Sequence, residues 1–307
     1  MSEYPRYRDS RIRLAAFRWL DEQTNIQGDV LPWSLLANGL VIEGRRVPLV
    51  SQQGIFKPAV LDAMPLSLRT SAKGPYDDHF GPDGTLRYAY RGTDPGHHQN
   101  VWVRNAMREQ APLVYFHAVV PGKYLAVWPV YVVGDDPALL TFSVLADERD
   151  LPKIGPDSEQ ADYSPEAEYR RRYATREVLQ RLHQTGFRER VLAAYREQCA
   201  LCRLRHRELL EAAHIIGDKE EGGEPNVRNG VSLCKLHHAA FDKYFLAIRP
   251  DYTVEVKSAI LDERDGPMLR FGLQGLHNQG IWTPRSATQK PDRDLLERRY
   301  ERFLRAS

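Results

Sequence analysis

The segment "RNGVSLCKLHHAAFD", residues 228–242, sets a Cys-x2-His pair beside a His-x3-Asp pair, offset by one residue. Thiolate and imidazole are zinc ligands, and a second knuckle, "CALC", supplies Cys199 and Cys202 upstream. Together with Cys234 and His237 they form a Cys3His set, the closed tetrahedral kind that a structural Zn2+ takes. The chain has 3 cysteines, and this set uses each of them. An odd number argues against a disulfide framework and for a metal or free thiols.

His238 is left without a part in that set. If 235–245 is helical, each residue turns by about 100°, so His238 departs in a different direction from His237 and shares a face with Asp242, four residues on. An imidazole and a carboxylate with open positions for water and phosphate oxygens suit a catalytic divalent ion, Mg2+ or Mn2+. Upstream, "LLEAAHIIGD" reads as an apolar strand presenting His214, and Asn229 lies between that strand and the histidine pair.

The order Cys-x2-Cys, Glu-Ala-Ala-His-Ile, Asn-Gly, Leu-Cys-x2-His-His-x3-Asp resembles the HNH nuclease family with its ββα-metal fold, over about 199–245. The resemblance implies that His214 is the general base removing a proton from the attacking water. It implies that Asn229 orients that base or tethers the loop between the strands, and that His238 and Asp242 hold the catalytic ion. A neutral imidazole, with an ordinary pKa of about 6.5, suits the base role. One position departs from the pattern. Many family members place Asp or His just before the base, whereas this chain has Ala213; waters or Glu211 would then complete the coordination. The stretch "PDYTVEVK" superficially resembles another nuclease class, but Asp251 and Glu255 stand too close together, and it reads as a turn entering an exposed strand.

These residues need elements to hold them. Residues 169–307 are expected to form the nuclease domain, an α+β unit with flanking helices at roughly 165–184 and 187–197 and a closing helix from Arg293. Between Tyr169 and Arg207 stand 11 arginines against Glu177, Glu189 and Glu197. Guanidinium groups that displace counterions from phosphates favour a polyanion partner, so Arg170, Arg171, Arg172, Arg176, Arg188, Arg203 and Arg205 are candidates for the DNA backbone. A solvated helical face is the other reading of the same stripe. Residues 151–168 carry Pro, Gly, Asp and Ser without periodicity and read as a linker.

Residues 1–150 form a separate, mainly β domain. A helix over 8–24 places Ile12, Ala15, Ala16, Trp19 and Leu20 on one face, and from Val30 to Leu145 short β-rich runs alternate with turns. A curved sheet or barrel is expected. In texture and domain order this segment resembles the SRA-like readers of the PUA superfamily that are fused to HNH nucleases in bacterial modification-dependent restriction enzymes. That implies a modified base flipped from the duplex into a pocket of aromatic faces and polar groups. Tyr76, Asp77, Tyr88, Tyr90, Arg91, Asp94 and His97 offer the mixture, with Gln52, Gln53 and Phe56 on a facing loop. Equally, Tyr88 and Tyr90 are alternate residues packing one strand face, and Asp77 and Asp94 turn formers.

Length and composition fit two such domains. The 307 residues are 42% hydrophobic and 27% charged with a net charge of +2, without a membrane-spanning apolar run or a secretory signal, and a cytoplasmic location is expected. The favoured reading is a metal-dependent endonuclease acting on double-stranded DNA that carries 5-methyl- or 5-hydroxymethylcytosine. A homodimer fits because one active site per chain must cut two strands. A repair nickase that reads damaged or structured DNA, and a zinc-stabilised DNA-binding regulator without catalysis, are the alternatives.

Overall fold

The computed structural model describes residues 4–70, 79–80, 85–147, 165–264 and 266–306. Tyr76, Asp77 and most of the expected linker lie outside them. Two compact units divide the chain, Met1–Leu182 and His183–Ser307.

The first unit opens with α1 (Tyr4–Gln27), β1 (Val30–Pro32), α2 (Trp33–Asn38), the hairpin β2 (Leu40–Ile42) and β3 (Arg45–Val47), then β4 (Ile55–Phe56) and β5 (Ser67–Arg69). It continues through β6 (His79–Phe80), β7 (Leu86–Ala89), α3 (His98–Arg108), β8 (Leu113–Val120), β9 (Lys123–Asp136) and β10 (Thr141–Ala146). Eight strands form one curled sheet in the order β4-β5-β8-β9-β10-β7-β6, with β1 on β9. All pairs are antiparallel except β5 with β8. No pairing joins β4 to β6 among the described residues.

Both sheet faces are buried, and strand alternation shows why. On β8, Leu113 and Tyr115 enter one core while Val114 and Phe116 enter the other. On β9, Leu125 and Val127 share the first core, but Val130 and Val132 continue it after a change of phase. The β8–β9 register shifts at the same place: Tyr115 pairs with Val127 and Leu113 with Val130. That extra residue is a bulge, which bends the strand and keeps both ends facing one core. The expected N-terminal helix is present; Ile12, Ala16, Phe17 and Leu20 are buried, and Ala15 and Trp19 partly so. Helix α3 was not expected, and it buries Gln99 and Asn100 beside Val103 and Ala106.

Helix α4 (Pro165–Ala194) runs through the division between the units. It is one helix where two were expected, continuing through Gly186, because Phe187, Val191 and Leu192 on the following turns are buried in the second unit's core. Glycine's helix penalty is about 1 kcal/mol, less than burying those side chains returns. The second unit then holds the hairpin β11 (Leu210–His214) and β12 (Gly230–Cys234), α5 (Lys235–Asp242), the hairpin β13 (Leu246–Ile248) and β14 (Val254–Val256), α6 (Ser258–Leu261), α7 (Pro267–Gly272) and α8 (Arg293–Ala306). The turn expected at Asp251 is present, its carboxylate accepting from the Thr253 amide at 3.0 Å. The strand after it is not exposed: Val254 and Val256 are core residues, and Glu255 accepts from the Tyr300 hydroxyl at 2.7 Å.

Candidate active site

The site grows from β11, β12 and α5. The two strands pair antiparallel with Leu210 opposite Cys234 and His214 opposite Gly230, and α5 follows β12 without an intervening residue. The Asn-Gly step is required by packing. A Cβ on Gly230 would fall 2.9 Å from Phe187 Cζ and closer still to Val191, so only glycine lets α4 lie against β12. Gly230→Ala should destabilise the second unit by about 1–3 kcal/mol through overpacking, read as a lower urea midpoint for its transition. An unchanged midpoint would mean that the helix yields freely.

The same Phe187 supports His214. Their rings stack with centroids 3.9 Å apart and planes 17° from parallel, and His214 Nε2 is buried without a hydrogen-bond partner. Burial holds the imidazole below its ordinary pKa, with the nearby charge of Asp218 acting the other way. The ring is therefore neutral at cellular pH. Phe187 carries no signal in the sequence; it is one apolar residue on a helix.

Asn229 is fully buried and clasps the loop between the strands. Its amide donates to Ile216 O at 2.9 Å and Glu224 O at 3.2 Å, and its carbonyl accepts from Ile216 N at 2.9 Å. Of the two roles implied for it, the loop tether is the one its bonds serve.

On α5 the adjacent histidines separate as helical geometry requires. His237 is 2% exposed and turns to the cysteines: its Nδ1 is 3.2 Å from Cys234 Sγ and 3.4 Å from Cys199 Sγ, and Cys202 Sγ is 4.0 Å from Cys234 Sγ. The four ligand atoms lie within 4.8 Å of one another. Sulfurs bound tetrahedrally at about 2.3 Å stand about 3.8 Å apart, close to the 4.0 Å between Cys202 and Cys234, so the cluster fits a metal ion. His237 Nε2 donates to Gly272 O at 2.7 Å, which fixes the ring and leaves Nδ1 for the ion. The carbonyl comes from α7, beyond the reach of motif reading.

His238 turns the other way, into a carboxylate pair. Its Nε2 lies 3.2 Å from Asp242 Oδ2 and its Nδ1 2.6 Å from Glu211 Oε2. The bond with Asp242, and then that with Glu211, raises the His238 pKa against the effect of burial. Ligands in cis positions about an octahedral ion at 2.0–2.1 Å stand about 3 Å apart. The His238–Asp242 pair fits such an ion. Glu211 sits at the opposite ring nitrogen, where a carboxylate orients a metal-binding histidine. His238 and Asp242 are close enough for their charges to act on His214.

The arginines divide by environment. Arg171 is buried, pairs with Asp147 at 2.9 Å and lies over the Tyr131 ring; Arg170 shares that carboxylate. Arg188 donates to Leu210 O and Arg207 O, bracing β11. Arg172, Arg203 and Arg205 are exposed, the last two on the loop between the cysteine knuckle and β11. The side chain of Arg176 lies outside the described residues.

In the first unit, Tyr88 and Tyr90 are core residues, and Tyr90 stacks on Phe142 at 4.5 Å and bonds Asp135 and Arg104. Asp94 closes a turn on the Gly96 amide and His97 caps α3. Gln53 accepts from Gln99 at 2.7 Å, and the Gln52 carbonyl accepts from Arg69 at 3.1 Å. Phe56 is half-buried on β4, while Gln52, Gln53, Arg91 and Asp94 are exposed. The two tyrosine rings thus serve the sheet, as the alternate-residue reading allows.

Residues 199–249 match the model of the HNH endonuclease family. The second unit carries an HNH endonuclease domain, and the protein is an endonuclease. None of the curated proteins matches the chain. Among solved structures, a modification-dependent TagI restriction endonuclease is similar at 13% identity and a TM-score of 0.27, over 78% of this chain and 81% of its own. No helix among the described residues is long and apolar enough to cross a membrane.

Proposed function

We propose that the protein is a metal-dependent endonuclease that hydrolyses double-stranded DNA near modified cytosine, with the chemistry in the second unit and base reading in the first. The observation that carries the nuclease mechanism is His214: an imidazole on β11 that burial keeps neutral, close enough to the His238–Asp242 pair of α5 for their charges to act on it. His214 takes the proton of the attacking water. His238 Nε2 and Asp242 hold a Mg2+ or Mn2+, with Glu211 orienting His238 from behind. When bound, that ion supplies positive charge to the phosphate oxygens and the leaving 3′ oxygen. Arg172, Arg203 and Arg205 face the DNA backbone, and Cys199, Cys202, Cys234 and His237 hold a structural Zn2+.

The modified-cytosine reading is supported by the texture of the β-rich segment and its position before the nuclease. Within the group expected to line the pocket, Gln52, Gln53, Phe56, Arg91, Asp94 and His97 remain candidates, and Tyr76 and Asp77 lie on a segment beside them in sequence. Two chains acting together would cut both strands. Incubation with 5-methylated, 5-hydroxymethylated and plain DNA in Mg2+ and in Mn2+ tests the proposal. Preferred cleavage of a modified duplex is expected. Equal cleavage of all three would sink the reader, and nicking confined to lesions would favour the repair reading.

A pH profile tests the base. Because burial lowers the His214 pKa, its neutral form persists into mildly acidic solution. The acidic limb of the cleavage rate, at saturating metal so that protons do not compete at His238, should fall below the ordinary histidine value of about 6.5. A limb at or above that value would assign the proton to another group.

A further inference from the structure

Arg299 stands on α8, outside the residues that match the nuclease family. It is 9% exposed, and its guanidinium reaches the backbone at both halves of the site. Nη1 donates to Ile215 O at 3.0 Å and His214 O at 3.5 Å, where β11 ends. Nη2 donates to Phe241 O at 2.8 Å and Asp242 Oδ1 at 3.3 Å, where α5 ends. The group lies 3.8 Å over the Phe241 ring, which holds the plane of the fork. A planar cation with donors in fixed directions suits this arrangement, and a lysine would satisfy only part of it.

The division of Asp242 between its neighbours gives that contact a function. Oδ1 belongs to Arg299, whereas Oδ2 faces His238 Nε2. With one oxygen held by a buried cation, the carboxylate cannot turn freely, and the other oxygen stays on the side where the ion would bind. The carbonyl bonds also tie the end of the base strand to the end of the ion-binding helix. A residue that merely filled space between α8 and the core would need neither the carboxylate nor carbonyls from both elements.

We propose that Arg299 is a positioning residue of the active site: it holds Asp242 so that Oδ2 is presented beside His238, and it sets the spacing between His214 and Asp242. The proposal rests on the nuclease reading above. The closing helix is on this account part of the catalytic apparatus, although it supplies no group that touches DNA or the ion.

The test compares full-length wild type, Arg299→Lys, Asp242→Asn, the double variant, His214→Ala and Leu296→Ala, a buried control on the same helix. Each is followed by circular dichroism, by Mn2+ affinity without DNA, and by kcat and KM separately. Arg299→Lys should stay folded, bind Mn2+ about tenfold more weakly or worse and lose kcat by a similar factor at unchanged KM. Leu296→Ala should lower the melting temperature while keeping Mn2+ affinity. In the Asp242→Asn background, Arg299→Lys should cost less in Mn2+ affinity than it does alone, because the carboxylate that Arg299 presents to the ion is already lost. Should Arg299→Lys fail to fold, Arg299→Met, which keeps most of the buried stem without the charge or the Nη bonds, takes its place. Wild-type Mn2+ affinity and kcat in a folded Arg299 variant would overturn the proposal, as would a full additional loss in the double variant. Normal cleavage by His214→Ala would instead overturn the base assignment of the nuclease reading, so the two failures are distinguishable.

Discussion

His214→Ala should slow DNA cleavage by about 100- to 10,000-fold, the usual contribution of a positioned general base, while the protein folds and binds DNA much as before. The separation of these effects follows from the surroundings of the ring. Its Nε2 bonds to nothing, so no buried partner is orphaned by its removal. The stacked contact with Phe187 is lost, worth about 1 kcal/mol beyond buried area, against typical domain stabilities of about 5–15 kcal/mol. The strand pairing of β11 runs through the backbone and survives. The experiment is single-turnover cleavage at saturating protein, beside fluorescence anisotropy on labelled duplex and a thermal melt. Cleavage at the wild-type rate would remove His214 from the base role. Lost cleavage together with lost folding would mean that the residue acts in packing instead.

What the sequence could disclose here depends on how local each arrangement is. The one-residue offset between Cys234/His237 and His238/Asp242 is contained within α5 and the residue that caps it, and helical periodicity separates the two histidines. Cys199 and Cys202 were legible for a similar reason, since a C-x2-C knuckle is a local turn with a fixed ligand spacing. Glu211 could be named but not placed. Only the Leu210–Cys234 register brings it to the far nitrogen of His238, and a strand drawn without its partner does not contain that information. Arg299, Phe187 and Gly272 were invisible because each reaches the site from an element distant in sequence and of unremarkable composition. In the first unit, alternation revealed strands but hid α3. Its buried Gln99 and Asn100 are paired to Gln53 and to the Arg91 and Asp94 backbone, so polar residues occupy the apolar face that a helix search requires. Tyr88 and Tyr90 illustrate the reverse difficulty. Aromatic residues near charges resemble a pocket in sequence, while strand alternation turns both rings into one core.

On the proposed function, stripping the metal of the Cys3His cluster should have the largest effect on the second unit, and a different one from withholding Mg2+ or Mn2+. Cys199 and His237 lie within the unit's core, and Cys234 ends β12 at the start of α5, so the cluster ties the knuckle, the hairpin and the helix together. Structural zinc contributes about 10–16 kcal/mol of binding free energy in small folds, comparable with or larger than the net stability of a typical domain. Without it the second unit should unfold. The first unit keeps its own two cores and should melt as before, so calorimetry is expected to lose one transition and retain the other. Cys199→Ser should act in the same direction, because a poorer ligand is left inside an apolar core. The order of metal addition separates the two sites. After chelation and removal of the chelator, Mg2+ alone should restore neither folding nor cleavage, whereas Zn2+ should restore the lost transition and Mg2+ added afterwards should restore cutting. If the chelated protein kept both transitions and cut DNA on addition of Mg2+ alone, the Cys3His cluster would not be holding the fold. The offset of the two histidines on α5 would then need another explanation.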